Sequence, residues 1–336
     1  MTGSWLVTGA SGFLGRHLLE ELDRPHPTPT PTAGSGRCLA LVRDRAGWEA
    51  MDWTRRLRRV DLVEGDLAET GWWENLRVGG IFHLAALVSH RPRDAEPVRR
   101  TNVGGTLDMV RLAARHRCRV VFVSTSGTVG CFRNPGAAAD EAAPFCEAEV
   151  RRWPYYRSKI EAEREGRSLA ADLGVEFVIL RPPVLLGPGD HRRRSVRHVL
   201  RLLEGRLPFL IEGGMHFADV RDVAPVLRRA MELPHPRPVY NLPGTQCSIR
   251  EFYAMIADLA GVEPPRRTMP YRLAWLLAAA ADRLGLAVLP EPGLVEMASH
   301  YWGLTSRYAG PELGFRCRPG RETLADTIAW LRENPE

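Results

Sequence analysis

Lysine is almost absent from this 336-residue chain: Lys159 is the only one among 46 basic residues. Every other basic position is arginine, which cannot give up its proton, whereas a lysine ammonium is a compact charge that can take part in chemistry. The single lysine is therefore the first candidate for a functional role. The net charge of +6 is too small, without a clustered basic face, to predict nucleic-acid binding, but it leaves room for an anionic ligand.

Metal-binding patterns, disulfide frameworks and membrane-spanning runs are also missing. The six cysteines are scattered without a CxxC pair, which predicts reduced thiols and no metal site. The opening residues, MTGSWLVTGA, lack a basic and apolar leader, so we expect no signal peptide and a cytoplasmic protein. The most apolar stretch, Leu273–Leu289, contains Asp282 and Arg283, which predicts a buried or interface helix and no stable membrane insertion.

The first half alternates short β-branched runs with helical periods, which predicts a doubly wound parallel sheet of the α/β, Rossmann type. We assign residues 1–181 to this dinucleotide-binding domain and 182–336 to a smaller, mostly helical substrate lobe with returns to the core. A Pro-rich segment, Pro25–Gly36, predicts an extended, solvated excursion. The predicted strands are Trp5–Thr8, Cys38–Val42, Val60–Val63, Gly80–Leu84, Arg119–Ser124 and Val175–Leu180. The predicted helices are Phe13–Leu22, Val98–His116, Tyr156–Leu173, Asp222–Glu232, Ile249–Ala260, Tyr271–Leu284 and Thr323–Leu331.

A glycine-rich turn, TGASGFLG, follows the first predicted strand and precedes the first helix. Its glycines, Gly9, Gly12 and Gly15, allow a tight turn, a close approach of backbone N–H groups to a pyrophosphate and close helix packing. The position between strand and helix makes this a strong dinucleotide-binding signal. The residues expected to contact the cofactor here are Gly9, Ser11, Gly12, Phe13, Leu14 and Gly15.

The end of the second strand distinguishes two cofactors, because an acidic residue there binds a ribose 2′-hydroxyl and an arginine accommodates a 2′-phosphate. Arg43 at the strand tip favours NADP(H), while Asp44 directly after it keeps NAD(H) open. In GDL, after the third strand, Asp66 can accept from the adenine amino group, with Leu67 beside it. In HLAA, Ala85 lets the backbone pass close to the cofactor, and His83 is expected to be a packed histidine.

The polar run Ser124-Thr125-Ser126 ends the fifth strand, and Tyr155 and Lys159 follow with the spacing of one helical turn. A phenol has a pKa of about 10 and is a poor acid–base catalyst at neutral pH. A nearby cation favours phenolate and lowers that pKa. This predicts a catalytic pair and gives a reason for the single lysine.

These segments together resemble the extended short-chain dehydrogenase/reductases of the NAD-dependent epimerase/dehydratase family. The branch most similar is that of dihydroflavonol reductases and 3β-hydroxysteroid dehydrogenases. The resemblance extends over nearly the whole chain and is carried by TGASGFLG, GDL, HLAA, NVGGT (Asn102–Thr106), VSTSGTVG (Val123–Gly130), YYRSK (Tyr155–Lys159), RPPVLLGPGD (Arg181–Asp190) and FADVRDVA (Phe217–Ala224).

The resemblance implies a role for each matching residue. Tyr155 would exchange a proton with the substrate oxygen, and Lys159 would hold the nicotinamide ribose and depress the pKa of Tyr155. Ser126, with Thr125 as the alternative, would orient the substrate oxygen. Asn102 would support the Lys159 region. The backbone of Pro182 and Pro183 would pass the nicotinamide.

The resulting expectation is an NADP(H)-dependent reductase or dehydrogenase acting on a ketone or secondary alcohol in a fairly apolar small molecule. An NAD-dependent nucleotide-sugar epimerase and a non-catalytic dinucleotide-sensing regulator remain alternatives. The resemblance also implies a homodimer through the helices at 98–116 and 156–173. The basic run His191–Arg201 is either a solvated helix face or a site that attracts a phosphate or coenzyme A group.

Overall fold

The computed structural model describes residues 4–24, 37–69, 71–207, 209–285 and 291–335. The expected excursion at Pro25–Gly36 lies outside these residues. The strands are β1 (Ser4–Thr8), β2 (Cys38–Val42), β3 (Val60–Glu64), β4 (Val78–His83), β5 (Val120–Val123), β6 (Cys131–Phe132), β7 (Phe177–Arg181), β8 (Val184–Leu186), β9 (Gly214–Asp219), β10 (Val239–Asn241), β11 (Thr245–Ser248) and β12 (Tyr301–Trp302).

The helices are α1 (Phe13–Asp23), α2 (Arg45–Glu49), α3 (Ala95–Arg99), α4 (Gly105–His116), α5 (Glu147–Val150), α6 (Pro154–Leu173), α7 (Arg197–Leu203), α8 (Val220–Glu232), α9 (Ile249–Ala260), α10 (Tyr271–Arg283), α11 (Pro292–Ala298), α12 (Ala309–Leu313) and α13 (Gly320–Glu333). Short 3-10 turns cover Asp52–Arg56, Pro92–Asp94 and Ser126–Thr128.

Seven strands form one parallel sheet in the order β10-β7-β5-β4-β1-β2-β3. The chain runs outward from β1 through β2 and β3, then crosses to the other side of β1 with β4. Val7 of β1 accordingly pairs with Ala40 on one side and Phe82 on the other. This reversal opens a crevice at the carboxyl ends of the strands, where doubly wound sheets bind their ligands. The predicted α/β sheet is confirmed.

Helices cover both faces of the sheet, which is why its central strands are largely apolar. All four residues of β5 are buried, as expected for a parallel strand packed on both sides. On one face, α1 and α8 share a core that includes Leu18, Leu19 and Leu227. On the other face, Met109 of α4 and Ala162 of α6 belong to a second core.

The helix predicted over Val98–His116 is interrupted. α3 ends at Arg99, a five-residue π-helical turn covers Arg100–Gly104, and α4 begins at Gly105. Single π turns inside helices frequently occur at functional sites. This turn contains Asn102, so the prediction of one regular helix is wrong at the residue that matters for the site.

The second half of the chain contains a small sheet that the sequence did not predict. β9 pairs with β8 in parallel and with β11 in antiparallel orientation. α7, α9 and α13 share a core beside it that includes Val199, Phe252 and Leu324. The chain then returns to the large sheet, where β10 pairs with β7, so both halves contribute to the central layer.

Three features of the described part of the chain concern membrane spans, thiols and an apolar helix. No helix there is long and apolar enough to cross a membrane. All six cysteines are free thiols. α10 buries Ala274 and Ala278 but leaves Leu273 and Leu276 exposed, so only one of its faces is covered by the described residues.

Candidate active site

The glycine turn after β1 is packed so closely that side chains are excluded. Gly9 has a φ of +69°, and a Cβ atom there would lie 2.7 Å from the amide nitrogen of Ala85. A Cβ atom on Gly15 would lie 2.2 Å from the carbonyl oxygen of Gly9. Gly12, whose amide donates to the Gly9 carbonyl at 2.9 Å, is the extended N-cap residue that precedes α1. The turn therefore brings the N-terminus of α1 to the crevice without glycine side chains in front of it.

The residues that follow successive strands of the large sheet meet in one cavity of ≈ 1450 Å³. Those predicted to bind the cofactor and found in its lining are Gly9, Ser11, Gly12, Phe13, Arg43, Asp66, Leu67, Ala85, Tyr155 and Pro183. Pockets for one small ligand usually enclose about 300–1,000 Å³. The cavity has room for a dinucleotide and a second molecule.

Leu14, Gly15 and Pro182 lie behind this lining. Leu14 and Gly15 are buried in α1. The carbonyl oxygen of Pro182 accepts from the amide of Ser126 at 2.8 Å, so Pro182 positions the polar run after β5.

Arg43 and Asp44 have different positions at the end of β2. The Arg43 guanidinium lines the cavity and reaches Asp66 only at 4.0 Å. The Asp44 side chain instead caps α2 by accepting from the amide of Gly47 at 3.0 Å. One oxygen of the carboxylate that kept NAD(H) open is therefore engaged at a helix N-terminus.

His83 is a packed histidine, as the sequence predicted. Its Nδ1 lies 2.8 Å from Thr8 Oγ1 and its Nε2 lies 3.1 Å from Thr106 Oγ1. Burial, with a smaller contribution from the Lys159 charge, lowers the pKa of His83 to about 3. Thr8 also accepts from the amide of Ala85 at 3.1 Å and so holds the loop after β4 against the glycine turn.

The three hydroxyl groups after β5 have separate roles. Ser124 donates to the buried carboxylate of Glu163. Thr125 accepts from the amide of Gly127 at 3.3 Å and caps the following 3-10 turn. Ser126 lines the cavity, and among the described residues its hydroxyl has no hydrogen-bond partner within the chain. Ser126 is thus the hydroxyl most available to a ligand.

Tyr155 stands in the first turn of α6 and lines the same cavity as Ser126. Its amide donates to the carbonyl of Ser89 at 3.2 Å, which ties the helix start to the loop after β4. Its ring contacts the rings of His90 and Tyr156, with centroids 5.9 and 5.3 Å away. The phenol is therefore fixed by aromatic packing at the cavity wall.

Lys159 lies deeper, with 2% of its surface exposed. Its Nζ donates to the carbonyl of Val123 at 2.8 Å and lies 4.5 Å from the ring centroid of Phe122. Burial lowers the pKa of Lys159 to about 7, although the Glu163 carboxylate acts in the opposite direction. Burial also raises the pKa of Tyr155 to about 12. Burial penalises both charged forms and is the cause of the Tyr155 shift, so the expectation that Lys159 lowers the Tyr155 pKa stays a prediction.

Asn102 connects two elements beneath the cavity. Its amide nitrogen donates to Leu87 O at 3.0 Å and to Ser158 Oγ at 2.9 Å, while its Oδ1 accepts from Leu87 N at 2.7 Å. Ser158 precedes Lys159 on α6 and donates to the carbonyl of Tyr155 at 2.7 Å. Asn102 does not line the cavity. It is a positioning residue for the helix start that carries Tyr155 and Lys159.

The comparison with known proteins agrees with this architecture. The profile of the NAD-dependent epimerase/dehydratase family matches residues 5–242. The chain belongs to this family. The resemblance inferred from the motifs is confirmed, and the protein is an enzyme of the extended short-chain dehydrogenase/reductase type.

Similarity to individual members of the family extends over almost the full chain. Sterol demethylase protein B from Methylococcus capsulatus is 30% identical over 342 residues, 98% of each chain. A putative dihydroflavonol 4-reductase from Synechocystis is 28% identical, covering 99% of this chain and 96% of the relative. The structure of MoeE5 in complex with UDP-glucose and NAD has a TM-score of 0.71 and 26% identity, covering 98% and 99%.

The residues present fit the nicotinamide dinucleotide used by the epimerase/dehydratase family. The crevice at the glycine turn is too close-packed for Cβ atoms at Gly9 and Gly15, which leaves N–H groups for a pyrophosphate. Arg43 and Asp66 flank the neighbouring strand ends. The arrangement would hold the adenosine half at β2 and β3 and direct the nicotinamide towards Tyr155.

Sequence reasoning missed a buried ion pair below the site. Glu163 and Arg181 are 0% and 3% exposed in their side chains, and Arg181 Nε lies 3.1 Å from both carboxylate oxygens of Glu163. Glu163 also accepts from Ser124 and Thr128. Glu163 stands one helical turn after Lys159, so the face shared by Tyr155, Lys159 and Glu163 was the available signal.

The basic run His191–Arg201 also has a clear position. Several of its members line the cavity, among them Arg192, Arg194, Arg197 and Arg201. They face the large cavity together with Arg43, which makes its electrostatic potential positive.

Proposed function

We propose that this enzyme is an NADP(H)-dependent oxidoreductase that interconverts a ketone and a secondary alcohol on a fairly apolar small molecule. The observation that carries the proposal is that Ser126 and Tyr155 both line the cavity that begins at the glycine turn. Two hydroxyl groups beside a dinucleotide crevice can hold a carbonyl oxygen and exchange a proton with it.

Burial raises the pKa of the Tyr155 phenol to about 12. The phenol is protonated at neutral pH and is in the correct state to donate to a carbonyl oxygen during reduction. Ser126, free of internal partners among the described residues, would donate a hydrogen bond to the same oxygen and orient it. The nicotinamide supplies the hydride when bound. Lys159 and Asn102 support the helix turn from which Tyr155 projects.

An apolar substrate is favoured by the other walls of the cavity. Side chains from α11 and from the loop before β9 contribute hydrocarbon surface, among them Phe209, Ile211, Val295 and Met297. Burial of apolar area is the main driving force for binding in such walls. The relatives named for sterols and dihydroflavonols support the same substrate class.

The preference for NADP(H) rests on Arg43 and on the engagement of Asp44 as a helix cap. We expect Arg43→Ala to weaken NADPH binding and leave NADH binding little changed, measured by fluorescence titration. Asp44→Ala should cost about 0.5–2 kcal/mol of stability through the lost cap. A selective loss of NADH affinity in Asp44→Ala would instead identify this enzyme as NAD(H)-dependent.

The catalytic test compares wild type with Tyr155→Phe in an NADPH-consumption assay over a panel of hydrophobic ketones. Positioned general acids contribute typically 10²–10⁴-fold to rate, so we expect kcat to fall by about that factor while NADPH affinity is retained. Tyr301→Phe, which changes a tyrosine outside the cavity lining, is the matched control. Full turnover in Tyr155→Phe, or no saturable NADPH binding by wild type, would refute the proposal.

A nucleotide-sugar epimerase is the second candidate, because arginines line the cavity and MoeE5 binds UDP-glucose and NAD. Such an enzyme would retain NAD through its catalytic cycle. Denaturing freshly purified protein and measuring the absorbance of the released nucleotide distinguishes the epimerase from the reductase. Release of bound NAD favours the epimerase, and protein purified without bound nucleotide favours the reductase. A dinucleotide-sensing regulator would instead bind cofactor and show no Tyr155-dependent turnover.

We also propose a homodimer through α4 and α6, as the family resemblance implies. α6 packs beside α4 on the outer side of the sheet and leaves polar side chains such as Arg164 and Arg167 on the surface. Light scattering should give twice the chain mass of 37.6 kDa. A single-chain mass at micromolar concentration would contradict this proposal.

A further inference from the structure

The turn after β8 leaves the substrate lobe and docks on the first helix of the dinucleotide domain. His17 Nε2 lies 3.0 Å from the carbonyl oxygen of Pro188. Arg16 Nη1 donates to the carbonyl oxygen of Gly189 at 3.4 Å. Both residues of α1 directly follow Gly15, the last glycine of the motif. The turn is therefore fixed beside the phosphate-binding end of α1.

The next residues of this turn are also constrained. The Asp190 carboxylate is buried and accepts from the amides of Ser195 and Val196 at 2.8 and 3.2 Å. The His191 ring packs against Trp53, with centroids 5.9 Å apart. Residues 191–194 thus lie in a turn that is held by the Asp190 carboxylate and by the packing of the His191 ring.

Arg192, at the tip, reaches the glycine turn. Its Nη2 donates to Ser11 Oγ at 2.8 Å. Among the described residues, Arg192 has no carboxylate within ion-pair distance. Partial burial and the charges of Arg194 and Arg43 hold the pKa of Arg192 below its usual value, although the Asp190 carboxylate acts in the opposite direction. Arg43, Arg192 and Arg194 line the same cavity, and three clustered arginines attract an anion.

We propose that Arg192 binds the adenosine 2′-phosphate of NADP(H) together with Ser11 and Arg43, and so determines cofactor specificity from the substrate lobe. The inference rests on the proposed dinucleotide function. A pyrophosphate is bound by backbone N–H groups at the glycine turn, whereas a 2′-phosphate lies beside the residue that ends β2. Arg192 lies between these two positions, in contact with Ser11 and close to Arg43, and its planar fork suits a phosphate.

The test uses two probes without nicotinamide, adenosine 2′,5′-bisphosphate and 5′-AMP, so that binding is measured apart from turnover. Titration calorimetry compares wild type with Arg192→Ala. A hydrogen bond to a charged group contributes about 1.5–3 kcal/mol, so we expect affinity for the bisphosphate to fall about 10- to 100-fold and affinity for 5′-AMP to change less than twofold. NADPH and NADH should show the same contrast.

Two further variants complete the design. Arg167→Ala removes one positive charge from the exposed side of α6 and should leave both affinities unchanged. Arg192→Lys keeps a positive charge but lacks the planar guanidinium, and should lose an intermediate amount of affinity for the bisphosphate. Thermal unfolding of each variant verifies the fold. Ser11→Ala provides a second route, because it removes the hydroxyl partner and should lower bisphosphate affinity selectively while Arg192 stays in place.

Different outcomes separate this inference from the proposed function. Equal losses of 5′-AMP and bisphosphate affinity in Arg192→Ala would assign the residue to the pyrophosphate and overturn the inference. Unchanged bisphosphate affinity would also overturn it, while NADPH-dependent turnover of the wild type would leave the reductase function standing. Failure of wild type to bind either probe or either dinucleotide would reject the dinucleotide function itself.

Discussion

The buried pair of Glu163 and Arg181 allows a quantitative prediction. Glu163→Gln keeps the shape of the side chain but removes its charge, and it leaves the Arg181 cation buried without a counter-ion. The hydrogen bonds from Ser124, Thr128 and Arg181 would all lose their charged acceptor. Breaking a buried ion pair by removing one partner costs about 3–5 kcal/mol. We expect the free energy of unfolding to fall by that amount.

Equilibrium unfolding in urea, extrapolated linearly to water, measures this loss. Glu49→Gln is the matched control, since Glu49 and Arg45 form an exposed pair at 3.8 Å for which we expect less than about 1 kcal/mol. The double variant Glu163→Gln, Arg181→Met removes both charges and should lose less than the two single changes combined. A loss below 1 kcal/mol in Glu163→Gln, or strict additivity in the double variant, would refute the reasoning.

Two further predictions follow from the glycine turn and from the buried lysine. Gly15→Ala places a Cβ atom 2.2 Å from the carbonyl oxygen of Gly9. We expect this clash to destabilise the protein by about 1–3 kcal/mol and to abolish NADPH binding in fluorescence titration. Gly293→Ala is the control and should behave as wild type, because a Cβ atom there would lie 3.6 Å from its nearest neighbour. Burial in the folded protein lowers the pKa of Lys159 to about 7, whereas an unfolded lysine has a pKa of about 10.4. Between these two pH values the unfolded chain binds more protons than the folded chain. The free energy of unfolding therefore rises with pH in this range. Between pH 7 and pH 9 the urea midpoint of Lys159→Met should therefore rise less than that of wild type. An equal rise in both proteins would contradict the lowered pKa of Lys159.

The sequence was sufficient for features whose determinants lie close together along the chain. The turn from Gly9 to Gly15 and the four-residue spacing of Tyr155 and Lys159 each depend on a local pattern. The large sheet followed from the alternation of apolar runs with amphipathic helices, because that alternation has few compact solutions. The strand ends then placed Arg43 and Asp66 at one crevice.

Features that depend on distant segments were not predictable in this way. The hydrogen bond from Arg192 to Ser11 joins residues 181 positions apart, and no local period indicates it. The sheet of β8, β9 and β11 is built from strands of three to six residues, which are too short for a clear alternation. The depressed pKa of Lys159 depends on burial, which the spacing of a motif does not reveal.

The burial of Lys159 has a practical consequence for the whole molecule. Lys159 is the only lysine in the chain, and 2% of its surface is exposed. Amine-reactive dyes and cross-linkers therefore find no accessible lysine on the folded protein and are left with the terminal amine. Acetylation at Lys159 would require α6 to separate from β5. The rate at which a reagent modifies this amine therefore reports how often the floor of the active site opens.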